Sequence, residues 1–315
     1  MGGIRTAFLF PGQGSQAVGM GQDLFRQEPA AKALFEAANE AAGADVTMMC
    51  FRGPFDALSR TSVLQPAITA VNLACMDWLV AHGVVPDTAA GHSLGELSAI
   101  ACCGCVTPVE AVRLAAARGK AMDDAAHATP GTMIAVVGLP MEEVIAGTEA
   151  LLDRAEGGVA NLNAPDQVVL SGTTAAMDRA AAHFDAKGAR CVPLAVSGAW
   201  HSETMAPAEA PFSSVLDGIR IAPPTRSLYV NVSGAPATEP DAIRAALVAQ
   251  LRNPVRWVDI VKGLMADGVT RFVEVGPGKV LRGTLRRIWP DATAYEVWSV
   301  GDLVSMKRLA DSWQA

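Results

Sequence analysis

Short apolar runs that end in glycine recur along the chain, and longer segments with helical spacing separate them. "TAFLF" (6–10) runs into the turn "PGQG", and "DTAAGHS" (87–93) has the same form. Residues 17–43 and 65–82 carry apolar side chains three and four positions apart, which predicts a helix over each. "SLYVNVSG" and "FVEVGPG" repeat the strand-then-glycine pattern later in the chain. This alternation predicts an α/β fold.

Residues 131–197 have a different pattern, with four apolar runs and two helical segments in the order β-α-β-β-α-β. This is the order of a ferredoxin-like unit, and a segment of this length can form a compact subdomain. We therefore predict an inserted ferredoxin-like α+β subdomain at 129–198. Residues 1–128 and 199–315 would form the larger α/β body.

Composition narrows the classes of partner. The chain has 315 residues, a formal charge of −7 and a pI near 5.3, whereas non-specific nucleic-acid binding needs a basic surface. The stretch 65–85 is apolar, but Asn72, Asp77 and His82 interrupt it, which indicates a core helix rather than a membrane span. We expect a soluble cytoplasmic protein that binds neither nucleic acid nor a membrane.

Six cysteines raise the question of a metal site. Cys102, Cys103 and Cys105 cluster in "IACCGCV", but their spacing is not CxxC and no second ligand pair follows at zinc-finger distance. Small cysteines packed around a buried helix explain the cluster better. We expect reduced thiols and no bound metal.

Residues 91–95, Gly-His-Ser-Leu-Gly, fit the G-x-S-x-G pattern between a predicted strand and a predicted helix. In that context a sharp turn exposes the serine hydroxyl, and the small flanking residues permit the close approach. The pattern favours Ser93 as a nucleophile, although five residues alone also fit an ordinary loop serine.

An activated serine needs a base, and the chain has five histidines. His92 adjoins Ser93, but neighbouring side chains at such a turn point apart. His82, His127 and His183 lie in helical or loop stretches without a partner signal. His201 follows the last predicted strand of the insertion in "VSGAWHSETM", where a positioned imidazole is expected. A structural, hydrogen-bonded histidine fits that position equally well.

Two other segments carry candidate chemistry. The loop "FPGQGSQA" formally fits a dinucleotide fingerprint, but no acidic strand end follows at the required distance, so its N–H groups suit an oxyanion better. Arg118 lies late in an alanine-rich helix predicted to begin after Thr107. A solvated arginine is the default interpretation, whereas beside the serine turn it would bind a substrate carboxylate.

Eight segments together point to a family. "FLFPGQGSQAVGMG", "LQPAI", "GHSLGE", "RGKAM", "NLNAPDQVVLSG", "VSGAWHS", "LRNPVRW" and "FVEVGPGKVLRG" occur in an order and spacing that resemble the malonyl-CoA:acyl carrier protein transacylases. These are acyltransferases of bacterial fatty-acid synthesis, with relatives in polyketide synthases. The resemblance covers nearly the whole chain and implies a hydrolase-like parallel-sheet body carrying the inserted lobe.

The resemblance implies a role for each matching position. Ser93 would be acylated, His201 would take its proton, and the main-chain carbonyl of Gln250 would hold the imidazole tautomer. The N–H groups of Gln13 and Leu94 would form the oxyanion hole. The implied substrate-binding residues are Arg118, Trp200, His92, Met122, Asn161 and Asn163.

The implied activity moves a malonyl group from malonyl-CoA to the phosphopantetheine thiol of acyl carrier protein, by a ping-pong route without metal or redox cofactor. Arg118 would pair with the free carboxylate of malonate, and Trp200, where the family usually has Phe, would disfavour methylmalonyl groups. We expect a monomer. Four alternatives stay open: an acyltransferase of a polyketide system, one of a malonate-utilisation system, a serine hydrolase of acyl-thioesters and a non-catalytic scaffold.

Overall fold

The protein is described here by a computed structural model that covers residues 4–313. The strands are β1 (Arg5–Phe10), β2 (Thr88–Gly91), β3 (Thr132–Val137), β4 (Gly157–Ala164), β5 (Gln167–Gly172), β6 (Arg190–Pro193), β7 (Ser227–Val230), β8 (Ala235–Pro236), β9 (Val269–Val275) and β10 (Glu296–Val300). The α-helices are α1 (Gln22–Gln27), α2 (Pro29–Ala42), α3 (Val46–Arg52), α4 (Phe55–Ser59), α5 (Thr61–Ala81), α6 (Gly95–Cys102), α7 (Pro108–Ala128), α8 (Met141–Leu151), α9 (Thr174–Ala186), α10 (Ala206–Asp217), α11 (Pro240–Ala249), α12 (Trp257–Ala266), α13 (Val280–Ile288) and α14 (Leu303–Trp313).

Six strands form the sheet of the larger unit, in the order β10-β9-β1-β2-β7-β8. All neighbouring pairs are parallel except β7 and β8. The central strand β1 is buried from Thr6 to Phe10, as expected of a parallel strand covered on both faces. The predicted α/β class with a parallel sheet is confirmed.

A second sheet of four antiparallel strands has the order β4-β5-β3-β6. Helices α8 and α9 pack against it, with Val144 and Phe184 in its core. In chain order this is the β-α-β-β-α-β arrangement expected from the hydrophobic pattern. All its strands lie within 129–198, and the domain boundaries at the two ends of that range stay a prediction.

Helix α5 is the one helix among residues 4–313 that is long and apolar enough to cross a membrane. However, 89% of its apolar window is buried inside the fold, where it packs against α7. It is therefore the core helix that the polar positions within it indicated.

The single helix predicted over 17–43 is wrong. Two helices, α1 and α2, occupy this stretch, and they meet at Glu28 because Pro29 at the start of α2 cannot donate to the preceding turn. Before α1 the backbone turns sharply at Gly19 and Gly21, which both have positive φ. Helical spacing of apolar residues does not register such interruptions.

The cysteines behave as packing residues. Among the described residues none forms a disulfide, and all except the half-buried Cys191 are buried. Cys102 ends α6, and Cys103 directly follows it. Burial raises the pKa of the Cys102 thiol to about 12, so this thiol stays protonated at neutral pH.

Main-chain hydrogen bonds join the smaller unit to the larger one, between β4 and the segment that follows α11. The N–H of Leu162 on β4 donates to the carbonyl of Val255 at 2.9 Å, and the N–H of Val255 donates to the carbonyl of Ala160 at 2.9 Å. This bridge sets the position of β4 relative to the larger sheet.

The turn between β2 and α6 lies against the end of β1. A Cβ added at Gly95 would overlap with the carbonyl oxygen of Phe10, and one at Gly91 would overlap with the backbone of Gly95. The absence of a side chain at these positions therefore permits the tight strand-to-helix turn.

We expect Gly95→Ala to destabilise the protein by about 1–3 kcal/mol or more, because the new methyl group meets backbone that cannot move aside. Gly283→Ala in α13 is the matched control, since nothing lies within 4 Å of its added Cβ. That change should stabilise by about 0.5–1 kcal/mol. Urea unfolding of the three proteins gives both values, and a Gly95→Ala variant as stable as the wild type would contradict the packing argument.

Candidate active site

Ser93 lies at the tip of the turn between β2 and α6. Its φ is 51°, a left-handed conformation that non-glycine residues rarely adopt. Its N–H donates to Oδ1 of Asn231 at 2.7 Å, and Nδ2 of Asn231 donates to the carbonyl of Gly91 at 2.7 Å. One asparagine at the end of β7 thus holds both sides of the turn.

The hydroxyl of Ser93 contacts His201, which lies after the insertion. Ser93 Oγ and His201 Nε2 are 2.7 Å apart, and His201 Nδ1 is 2.7 Å from the main-chain carbonyl of Gln250. A carbonyl only accepts hydrogen bonds, so Nδ1 carries the proton and Nε2 is free to accept one from the serine. Burial, followed by the charge of Arg118, lowers the pKa of His201 to about 3, which keeps the imidazole neutral at neutral pH.

Arg118 projects from α7 to the same point and is 2% exposed. Its Nη1 donates to Oε1 of Gln65 at 3.0 Å, and its Nη2 donates to Oε1 of Gln250 at 2.7 Å and approaches Ser93 Oγ at 3.4 Å. Burial lowers the pKa of the guanidinium to about 10, so it remains charged at neutral pH. The site therefore combines a neutral base, a hydroxyl and a buried cation.

The loop after β1 approaches the serine turn closely. A Cβ added at Gly12 would lie 2.6 Å from the carbonyl oxygen of His92 and 3.5 Å from the amide nitrogen of Leu94. Within residues 4–313, neither the N–H of Gln13 nor that of Leu94 donates a hydrogen bond. Both residues line the cavity beside Ser93. Two free amide groups in this position are suited to binding an oxygen that gains negative charge.

His92 contacts the smaller unit rather than Ser93. Its Nε2 is 2.7 Å from Oδ1 of Asn163 on β4, and its ring meets Trp257 edge-on at 5.4 Å between centroids. Burial lowers its pKa, which favours the neutral ring. His92 and Asn163 thus tie the serine turn to the second sheet.

A cavity of about 90 Å³ opens in front of Ser93, between the two units. The larger unit and the segment after the insertion contribute Gln13, Gln65, His92, Ser93, Leu94, Arg118, Met122, Trp200 and His201. The smaller unit and the segment following it contribute Met133, Asn161, Leu194 and Val196. Of the site residues predicted from the sequence, only Gln250 and Asn163 do not line the cavity, and both contact residues that do.

Three polar residues at this site were not anticipated: Gln65, Asn231 and Glu96. Gln65 and Glu96 stand out as polar positions inside otherwise apolar helices, and Asn231 directly follows a buried strand. Those polar interruptions were the available signal. Across residues 4–313 the structure has no group of three or more His, Cys, Asp or Glu side chains that could hold a metal ion.

Comparison with known proteins gives the family of this chain. A sequence profile of the acyl transferase domain matches residues 7–304. The malonyl CoA-acyl carrier protein transacylase of Bacillus subtilis (strain 168) is 40% identical over 288 residues, which cover 90% of each chain. The corresponding protein of Escherichia coli (strain K12) is 41% identical over 295 residues, which cover 92% of this chain and 94% of the relative.

Solved structures give the same result. The malonyl CoA-acyl carrier protein transacylase from Coxiella burnetii superposes with a TM-score of 0.91 at 33% identity, covering 98% of this chain and 97% of that one. A malonyl-transacylase solved in complex with its type II polyketide acyl-carrier protein superposes with a TM-score of 0.90 at 35% identity, covering 98% and 99% of the two chains. The chain therefore belongs to the acyl transferase domain family and, within it, to the malonyl-CoA:acyl carrier protein transacylases.

Proposed function

We propose that this enzyme transfers a malonyl group from malonyl-CoA to the phosphopantetheine thiol of acyl carrier protein, with Ser93 as the nucleophile. The observation that carries the proposal is the chain Ser93 Oγ, His201 Nε2, His201 Nδ1 and Gln250 carbonyl, with both contacts at 2.7 Å. Arg118 Nη2 lies 3.4 Å from the same Oγ. A hydroxyl, its base and a fixed cation thus converge on one small cavity.

In the first half-reaction Ser93 Oγ attacks the thioester carbonyl of malonyl-CoA while its proton passes to His201 Nε2. The carbonyl oxygen becomes an oxyanion, which the N–H groups of Gln13 and Leu94 stabilise by about 3 kcal/mol each. The C–S bond then breaks, His201 returns the proton to the leaving sulfur, and CoA departs as the thiol. A malonyl ester remains on Ser93.

The second half-reaction uses the same groups in reverse. The thiol of the carrier's phosphopantetheine gives its proton to His201 and attacks the ester carbonyl. The C–O bond to Ser93 breaks, and the proton on His201 goes to the serine oxygen. Because both half-reactions use one site, the kinetics are ping-pong.

Arg118 provides the preference for malonyl groups. Of its five N–H donors, two bind Gln65 and Gln250 and a third points to Ser93 Oγ, which leaves two for the substrate carboxylate. An acetyl group would leave this desolvated cation without its partner. Trp200, 4% exposed, contributes bulk to the same cavity and so disfavours a branched methylmalonyl group. His92, Met122 and Asn161 also line the cavity, and Asn163 holds His92 from behind.

The wider setting is also part of the proposal. We place the enzyme in fatty-acid synthesis in the cytoplasm, as a monomer without metal, redox cofactor, membrane or nucleic acid, and with residues 129–198 as an inserted subdomain. One solved relative binds a type II polyketide carrier protein, so the accepted carrier is the feature that distinguishes the two pathways. Assays with carriers of both types decide between them.

We expect wild-type protein incubated with malonyl-CoA to gain a malonyl ester on Ser93, which intact mass and peptide mapping detect. Adding acyl carrier protein should move the malonyl group to the carrier. Ser93→Ala should gain no adduct and load no carrier, whereas the exposed control Ser214→Ala on α10 should behave as wild type. Free malonate without loaded carrier would instead indicate a hydrolase, and no adduct on folded wild type would contradict the proposal.

We expect Arg118→Ala to lower kcat/KM for malonyl-CoA by about 10- to 100-fold, the cost of losing a charged hydrogen bond. The value for acetyl-CoA should stay equal or rise, because no unpaired cation then remains. Arg113→Ala is the matched control on the same helix, since that side chain is half exposed and pairs with Glu40 at the surface. Equal losses of kcat/KM with malonyl-CoA and acetyl-CoA would show that Arg118 does not bind the substrate carboxylate.

A further inference from the structure

A carboxylate lies buried behind the active site, and the proposed mechanism does not use it. Glu96 is in the first turn of α6 and has no exposed surface. Its Oε1 accepts from the N–H of Asn231 at 3.3 Å, and its Oε2 accepts a hydrogen bond from Nε2 of Gln250. An ionisable group enclosed in this way needs strong partners to remain in the fold.

The side-chain amide of Gln250 connects this carboxylate to Arg118. Its Nε2 faces three acceptors, which are Glu96 Oε2, the carbonyl of Ser93 at 3.0 Å and Oδ1 of Asn231 at 3.3 Å. Only a donor fits among three acceptors, so the orientation of the amide is unambiguous. Its Oε1 must then point the other way, to Arg118 Nη2 at 2.7 Å.

The result is a continuous chain from carboxylate through amide to guanidinium. When Glu96 is ionised, the charges at the two ends of the chain are opposite, and each bond in such a chain polarises the next. The main-chain carbonyl of the same Gln250 holds His201. The carboxylate of Glu96 therefore helps to position Gln250, and Gln250 in turn holds both His201 and Arg118.

We propose that Glu96 is a positioning residue that, through the side-chain amide of Gln250, holds Arg118 in the orientation that binds the carboxylate of the acyl group. This inference rests on the proposed function of Arg118. Glutamate suits the role better than glutamine because it presents only acceptors to Gln250. A glutamine in its place would allow the Gln250 amide to rotate, and Oε1 would then leave Arg118.

The first test is Glu96→Gln, assayed with malonyl-CoA and acetyl-CoA. We expect kcat/KM for malonyl-CoA to fall by about 10- to 100-fold, mainly through KM, because a mobile Arg118 binds the carboxylate poorly. The value for acetyl-CoA should stay within about threefold of wild type, since acetyl makes no contact that needs Arg118.

Glu274→Gln is the matched control. Glu274 is also fully buried, and its carboxylate accepts from the N–H groups of Leu281 and Arg282 at 2.8 and 3.1 Å at the start of α13. Its replacement removes a buried carboxylate without touching the Ser93 site. We expect an unchanged ratio of malonyl to acetyl activity.

The second test needs no variant, so it decides the proposal even if Glu96→Gln does not fold. Burial raises the pKa of Glu96 to about 7, against the opposing effects of Gln250, Asn231 and Arg118. The charged group that acts on it is Arg118 on α7, whose own pKa burial lowers to about 10, and the nearby imidazoles of His201 and His92 have pKa values that burial lowers. The malonyl-to-acetyl ratio of the wild type should therefore fall as the pH drops through about 7.

Glu96→Gln should lack this pH dependence and match the low-pH ratio of the wild type. Its Tm should equal or exceed that of the wild type above pH 7, because a carboxyl whose pKa is raised by folding destabilises the folded state once it ionises. Loss of selectivity without loss of stability separates positioning from a structural role.

Equal losses with both acyl groups in Glu96→Gln, or a wild-type ratio that is flat across this pH range, would overturn the role of Glu96 while leaving the proposed function intact. A wild-type protein that loads no malonyl group at all would overturn the proposed function, and the inference with it.

Discussion

The guanidinium of Arg118, 2% exposed between two sheets, imposes the main physical constraint on this site. A buried charge is tolerated only when neighbouring groups bind and balance it. The side chains of Gln65 and Gln250 accept hydrogen bonds from the guanidinium. Glu96 bonds Gln250 in turn and so places a carboxyl group close to the cation without touching it. Since Gln250 also fixes His201 through its main chain, the requirements of the cation and those of the base are met by one residue. The hydroxyl of Ser93 lies between the two groups, next to both His201 and Arg118.

The partner of His201 is a main-chain carbonyl, and the surrounding charges explain why this suits the site. A carboxylate there would be a second anion near Glu96 and would compete with the substrate for Arg118. The carbonyl of Gln250 fixes the tautomer without adding charge. The imidazole consequently stays neutral, with a pKa lowered to about 3, and is always able to accept the serine proton near neutral pH.

Sequence reasoning predicted the parts of this arrangement that have a local signature. The alternation of strands and helices gave the two sheets, and G-x-S-x-G with its strand and helix located the turn at Ser93. Gln250 could be named only through family resemblance, because a main-chain carbonyl has no residue preference. Gln65, Asn231 and Glu96 were missed because each acts through a neighbour distant in the chain, as in the 135 positions between Glu96 and Asn231. Helix spacing likewise failed at 17–43, where a proline and two glycines override the apolar pattern.

The smaller unit matters to the chemistry although it supplies no proposed catalytic residue. Its strand β4 is held to the larger unit at Val255 by main-chain bonds and at His92 through Asn163. Both attachments flank the cavity that Met133 and Asn161 help to enclose. The cavity between the two units has a volume of about 90 Å³, which is room for an acyl chain of only a few atoms, and Arg118 is part of its lining. The selectivity for a short diacid that we propose would therefore depend on the junction between the units as well as on Arg118, because residues of both units enclose the cavity.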